Sequence, residues 1–146
     1  MIDDAIVGEA RLAGAALARQ CFERARRMTR PACVIASGET TVRVTGRGRG
    51  GRNQELAAAA ATVLAESSEI AAFASAGTDG IDGPTPAAGA LVDHTTLARA
   101  AADGLPSVDA VLANNNSYAF FDALGDLICT GPTGTNVGDL QVFLLA

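Results

Sequence analysis

Three glycine-rich loops hold most of the side chains that could do chemistry. The first, GRGRGGRNQE (46–55), interleaves Gly46, Gly48, Gly50 and Gly51 with Arg47, Arg49 and Arg52. Gly46, Gly48 and Gly51 follow the spacing G-x-G-x-x-G between a β-prone run and a strongly helical one. In that setting the unpaired N–H groups and dipole of a helix start attract an anion. Gly48, Gly50, Gly51 and Asn53 are therefore candidate phosphate-binding positions. A dinucleotide site is poorly supported, because no acid ends a following strand about 20 residues on to hold a ribose. Glu55, in the first helical turn, would compete with a bound anion. The Arg52 guanidinium can grip a carboxylate or phosphate through two parallel hydrogen bonds. The equal alternative is an ion pair with Glu55 or another surface acid.

The second loop, GTDGIDG (77–83), places Thr78, Asp79 and Asp82 after a buried strand, where open α/β sheets keep ligand sites. A carboxylate there could hold Mg2+ or take a proton from a substrate hydroxyl. Asp79 is the candidate for either role, and Asp82 reads as a turn cap. In the third loop, GPTGTN (131–136), Thr133, Thr135 and Asn136 offer hydrogen bonds to a ligand or to the turns themselves. It is no Walker loop: all eleven basic side chains are arginines, so a phosphate-binding lysine and Schiff-base chemistry on this chain are both excluded. The single histidine, His94, has no nucleophile and acid beside it in sequence and reads as a helix-start or surface residue. Cys21, Cys33 and Cys129 are odd in number and set among apolar neighbours, which predicts buried free thiols.

The elements that must position these loops follow from pattern. Residues 3–29 carry apolar side chains at helical spacing and predict one helix. ACVIAS (32–37) and TVRVT (41–45), separated by GET, predict a hairpin. NQELAAAAATVLAE is strongly helical, with Asn53 as a possible cap. IAAFASA (70–76) reads as a buried strand, 96–103 as a helix stopped by Gly104, SYAFFDAL as a short helix, and DLICT and LQVFLL as strands. Strands alternating with helices, plus one hairpin, predict an α/β fold: a three-layer α/β/α arrangement around a mixed sheet.

A chain of 146 residues fits one domain. Its hydrophobic fraction of 49% with 18% charged residues is that of a globular protein. A net charge of −5 argues against nucleic acid as a general partner. No apolar run is long enough to span a bilayer, and the acidic start MIDDAIVGEA does not resemble a signal peptide, so the expected location is cytoplasmic.

Taken together, GRGRGGRNQE, SAGTDGIDGPTPAAGALVD and NNNSYAFFDALGDLICTGPTGTNVGDL resemble the MOFRL domain, the C-terminal domain of class II glycerate 2-kinases. The resemblance runs from about residue 31 to 146, and GEARLAGAALA resembles the helix leading into that domain, so 1–30 is expected to be a lead-in helix. The resemblance implies transfer of phosphate from ATP, with Mg2+, to the 2-hydroxyl of D-glycerate, although many members carry the label hydroxypyruvate reductase. It implies an active site shared with an N-terminal domain that supplies a lysine. It also implies Arg52 and Asp79 as active-site residues, with little activity expected of the 146 residues alone. Pro86 and Asn116 stand where the usual motifs have aspartate, and SGET lacks the second glycine of the usual GGET. These departures leave a non-catalytic binding or assembly module as the alternative, with a nicotinamide-dependent reductase behind it.

Overall fold

The computed structural model describes all 146 residues, Met1–Ala146. One sheet holds β1 (Ala32–Gly38), β2 (Ala71–Gly77), β3 (Gly89–Asp93), β4 (Leu127–Ile128) and β5 (Asp139–Leu145), in the order β1-β5-β2-β3-β4. The helices are α1 (Ala10–Ala25), α2 (Arg52–Glu66), α3 (Thr96–Ala102), α4 (Val108–Ala113) and α5 (Ser117–Leu124).

Helix α2 organises the core. Its residues from Asn53 to Ala61 are all buried, which only a helix enclosed on every side requires. The alanine run Ala57–Ala61 meets that requirement, since a methyl group lets neighbours approach from several directions. Helix α1 comes closest at Gly14, where a Cβ would collide with the Leu56 carbonyl and lie 3.1 Å from the Ala59 Cβ. Gly14→Ala is therefore expected to destabilise the fold by about 1–3 kcal/mol through overpacking, despite alanine's better helix propensity. A urea titration checks this: the midpoint should fall while the slope stays constant. Below the helices, Phe22 meets Phe143 of β5 edge-on at 4.8 Å between ring centroids, tying α1 to the sheet.

The α/β class holds, but the sheet departs from the expected arrangement. Alternation of strand and helix does run β1 and β2 in the same direction through α2. However, β5 inserts between them, so all four ladders are antiparallel, and parallel pairing is confined to the bridges Ile6↔Gly38 and Glu9↔Thr41. Nor is the sheet covered twice by this chain. The buried rows of β1, β2 and β5 face α1 and α2, whereas Ile35, Leu140 and Leu144 of the alternate rows are exposed.

The expected hairpin does not form. All seven residues of β1 pair with β5, whose alternation matches β1 in length and phase, and 41–45 contains no strand. The first helix is shorter than 3–29: Ile2 and Ile6 donate their N–H groups to Ile35 and Ser37 carbonyls along the β1 edge, which holds 2–6 extended. Two elements outside the sequence reading are β3, in GALVD, and α4, which Ser107 caps by accepting the Ala110 N–H.

Candidate functional site

The three loops meet at one end of the sheet. In register there are Gly38 ending β1, Asp139 opening β5 and Gly77 ending β2. Helix α2 begins beside them, which brings Arg52 onto Asp139. Arg52 Nε donates to Asp139 Oδ2 at 2.6 Å and Nη2 to Oδ1 at 2.9 Å, a bidentate pair with Asp139 fully buried and Arg52 about a third exposed. The remaining nitrogen, Nη1, lies 3.4 Å from the exposed Glu39. The hydrogen bond to Asp139 is the largest influence holding the guanidinium in its charged form, reinforced by the charges of Asp139, Glu39 and Asp82. A cleft of about 380 Å3 opens here, lined by Glu39, Thr40, Gly50, Gly51, Arg52 and Gly83 among others.

Of the two partners the sequence offered for Arg52, the protein acid is present, and it is Asp139 rather than Glu55. Glu55 points away into the core, where it accepts from Asn115 Nδ2 at 2.6 Å and faces Arg11 at 3.4 Å. Burial is the main influence raising the Glu55 pKa, and the Asn115 and Arg11 contacts oppose it.

The start of α2 already holds an anion. Asp82, 2% exposed, accepts the Asn53 N–H at 3.0 Å and the Gln54 N–H at 2.9 Å, one on each carboxylate oxygen. Gly51, the N-cap residue, has no side chain to do this, and a Cβ there would strike the Asp82 carboxylate. Asp82 is thus a cap, as its turn setting suggests, but it caps a helix thirty residues upstream. Its pKa is raised, chiefly by burial, with the Asn53 and Gln54 hydrogen bonds working against the rise.

The other glycines of the first loop fit against the segment before α5. Thr45 and Gly46 N–H groups donate to Asn115 Oδ1, the Arg47 N–H to Asn114 Oδ1 and the Arg49 N–H to Asn116 Oδ1. A Cβ at Gly48 would meet Asn116, and one at Gly50 would meet the Ser117 hydroxyl. Gly50 and Gly51 also line the cleft; Gly48 packs on protein. The Asn116 departure therefore falls on loop packing, where its amide oxygen does the work a carboxylate oxygen would.

Asn53 is buried, with its Oδ1 accepting from Ser75 at 2.5 Å and its Nδ2 near Asp82. Thr78 Oγ1 donates to the Gly138 carbonyl, and Thr133 Oγ1 donates to the Thr78 carbonyl, lacing the second and third loops together. Thr135 and Asn136 are exposed on the third loop, where Asn136 Oδ1 accepts the Gly138 N–H. Asp79 is half-buried. Its Oδ1 accepts the Ile81 N–H and lies over Gly77, the β2 residue in register with Asp139, and its Oδ2 is left for other work. No three acids, histidines or cysteines gather as a metal-binding group. One carboxylate, Asp79, does match what Mg2+ takes from protein when it arrives on nucleotide phosphates.

Sequence reasoning missed Glu39 and Asp139. A signal for Asp139 was available: the inward row of β5 reads Asp139, Gln141, Phe143, Leu145, turning polar at one end, and β2 does likewise at Ser75. Two of the three cysteines also depart from expectation. All are free, but Cys33 and Cys129 are exposed, Cys33 because it occupies an outward position of β1; burial pushes the Cys21 thiol up to about 12. No helix is long and apolar enough to cross a membrane.

The family model described as MOFRL family matches residues 32–139. The chain is 47% identical over 140 residues to a D-glycerate 2-kinase of Thermotoga maritima, covering 94% of this chain and 33% of that protein. It is 50% identical over 118 residues to a glycerate kinase of Danio rerio, covering 77% and 23%. A crystal structure of glycerate kinase from Thermotoga maritima superposes with a TM-score of 0.89 at 45% identity, over 97% of this chain and 34% of that one. The chain thus spans about a quarter to a third of the length of these relatives.

Proposed function

The chain belongs to the MOFRL family, and from that premise we propose that it is the C-terminal part of a glycerate 2-kinase, transferring the terminal phosphoryl group of ATP to the 2-hydroxyl of D-glycerate. The observation that carries this reading is the Arg52–Asp139 pair at the mouth of the cleft. A guanidinium locked on two of its nitrogens presents the third at a fixed point, which is how a protein stabilises charge spread over a transferring phosphoryl group. The exposed Glu39 is free to swing away when a more strongly charged ligand arrives. Asp79 accepts the proton leaving the 2-hydroxyl as its oxygen bonds to phosphorus and ADP departs. Mg2+, when bound with the nucleotide, would neutralise phosphate charge, with Asp79 as the carboxylate assigned to hold it. Exposed Thr135 and Asn136 are further contacts for the ligand. A cytoplasmic location fits ATP and glycerate as substrates.

The cleft is open on one side, and positioning is most of phosphoryl-transfer catalysis, so the N-terminal part of the enzyme is needed to complete it. The isolated chain is expected to show no glycerate-dependent ADP release. A chimera in which it replaces the matched third of the Thermotoga D-glycerate 2-kinase is expected to show it. Turnover by the isolated chain that Arg52→Ala abolishes would overturn this division of labour.

One observation favours a non-catalytic module instead: Arg52 already faces two protein acids, and Asp82 makes the surroundings still more negative. The chimera separates the two readings through Asp79→Asn. Asparagine keeps the oxygen that accepts the Ile81 N–H, so the loop survives while the base is lost. We expect kcat to fall about 100-fold with KM nearly unchanged. Arg49→Lys, on a side chain stacked over Tyr118 rather than in the cleft, should change turnover less than about twofold. An inactive but folded wild-type chimera would favour the module.

A further inference from the structure

An antiparallel sheet with one face in water alternates apolar inward residues with polar outward ones. The outward face of this sheet does not. Ile35, Val142, Ala74 and Leu91 stand in register across four strands, flanked on β5 by Leu140 and Leu144. Ile35, Leu91, Leu140 and Leu144 are 42–50% exposed, and Ser37 and Asp93 are the polar exceptions in the neighbouring rows. A contiguous apolar surface of this kind marks an interaction site.

We propose that this sheet face is the docking surface for the N-terminal part of the kinase, which covers it with an apolar layer of its own. The proposal rests on the glycerate 2-kinase reading above. Two observations select the occupant. The chain matches only 34% of the solved Thermotoga kinase chain, so about two-thirds of such an enzyme lies outside this unit. The N-terminal segment runs along the β1 edge, the Ile2 N–H donating to the Ile35 carbonyl at 2.8 Å. Chain preceding Met1 in such an enzyme would therefore leave the fold at the border of this face. Since the face is almost free of charge, the covering surface is apolar rather than acidic or basic.

Cys33 is a reporter built into the patch: it is exposed on the outward side of β1, beside Leu144. With Cys129→Ser as background and Cys21 buried, Cys33 is the accessible thiol of the chain. Iodoacetamide labelling followed by peptide mapping should modify it at least about tenfold more slowly in the Thermotoga chimera than in the isolated chain. Leu144→Lys should restore fast labelling in the chimera while leaving the urea midpoint of the isolated chain unchanged. Protection without glycerate phosphorylation would uphold the surface and sink the kinase reading. Phosphorylation with Cys33 labelled as fast as in the isolated chain would overturn the surface alone. Concentration-dependent protection in the isolated chain would assign the face to a second copy and equally overturn the proposal. Should the chimera fail to fold, a cysteine at the position of the intact Thermotoga enzyme aligned with Leu144 gives the answer: fast labelling there overturns the proposal and slow labelling supports it.

Discussion

Arg52→Lys in the active chimera is expected to lower kcat by about 100-fold or more, although the charge is kept. Lysine can offer its ammonium to one oxygen of Asp139 but cannot bridge both while pointing a third donor at the ligand. The wild-type geometry does this with Nε and Nη2 on Asp139 and Nη1 turned towards the cleft. Removing the charge altogether would be a poorer experiment. Asp139 is 1% exposed on its side chain, so Arg52→Ala would leave a buried carboxylate without its partner and confuse lost catalysis with lost stability. Asp139→Asn probes the same arrangement from the other side. The amide accepts one guanidinium N–H but opposes the other, so Arg52 should swivel. Loss of kcat should then be accompanied by a rise in KM, because a guanidinium that is no longer fixed also binds the ground state less well. Steady-state kinetics of the two variants with ATP and D-glycerate make the comparison. Turnover within about threefold of wild type in both would return the pair to a purely structural ion pair.

How far this site could be read from sequence depends on the range of each contact. Arg52 and Asp79 stand out because glycines surround them, and glycine-rich loops at element ends are a local signal. Asp139 is 87 residues from Arg52, and nothing in a linear reading joins them. The α2 helix was legible because helix propensity is local, but its cap was not: Asp82 does from a distant loop what Asn53 was expected to do. The insertion of β5 between β1 and β2 is likewise a long-range pairing choice made by the last seven residues of the sheet. For the same reason the hairpin expected over 32–45 failed: its turn was plausible, but the Asn115 side chain draws Thr45 and Gly46 towards α5, and β5 gives β1 a longer partner. The alternation of strands with helices was visible and implied helices on both faces of the sheet, yet in this chain Ile35, Leu140 and Leu144 of the outward face stay exposed.

The glycines of the first loop were read as room for a ligand's anion, and the protein fills part of that room itself. Asp82→Ala tests how much the fold depends on this. Two backbone N–H groups, of Asn53 and Gln54, would lose their acceptor in a buried place that water reaches poorly. An unsatisfied buried donor costs about 1–3 kcal/mol, and the two share one carboxylate, so the expected loss is about 2–4 kcal/mol. Against a typical domain stability of about 5–15 kcal/mol this is large, and a Tm lower by roughly 5–15 °C should result. The pH dependence provides an independent check on its cause. Burial raises the folded-state pKa of Asp82 above its unfolded value, so the native state binds this proton more tightly. The stability due to that proton is fully present below the unfolded pKa and is lost as pH rises through the raised one. The wild-type advantage over Asp82→Ala should therefore be largest in acid, shrink across that window and level off at neutral pH, where the two N–H contacts to the carboxylate remain. Urea midpoints for both proteins across the acid range would measure it. An advantage that instead grew with rising pH would mean that the helix dipole and the N–H groups outweigh desolvation at Asp82, making this carboxylate a net stabilising charge rather than a buried one tolerated for the bonds it accepts.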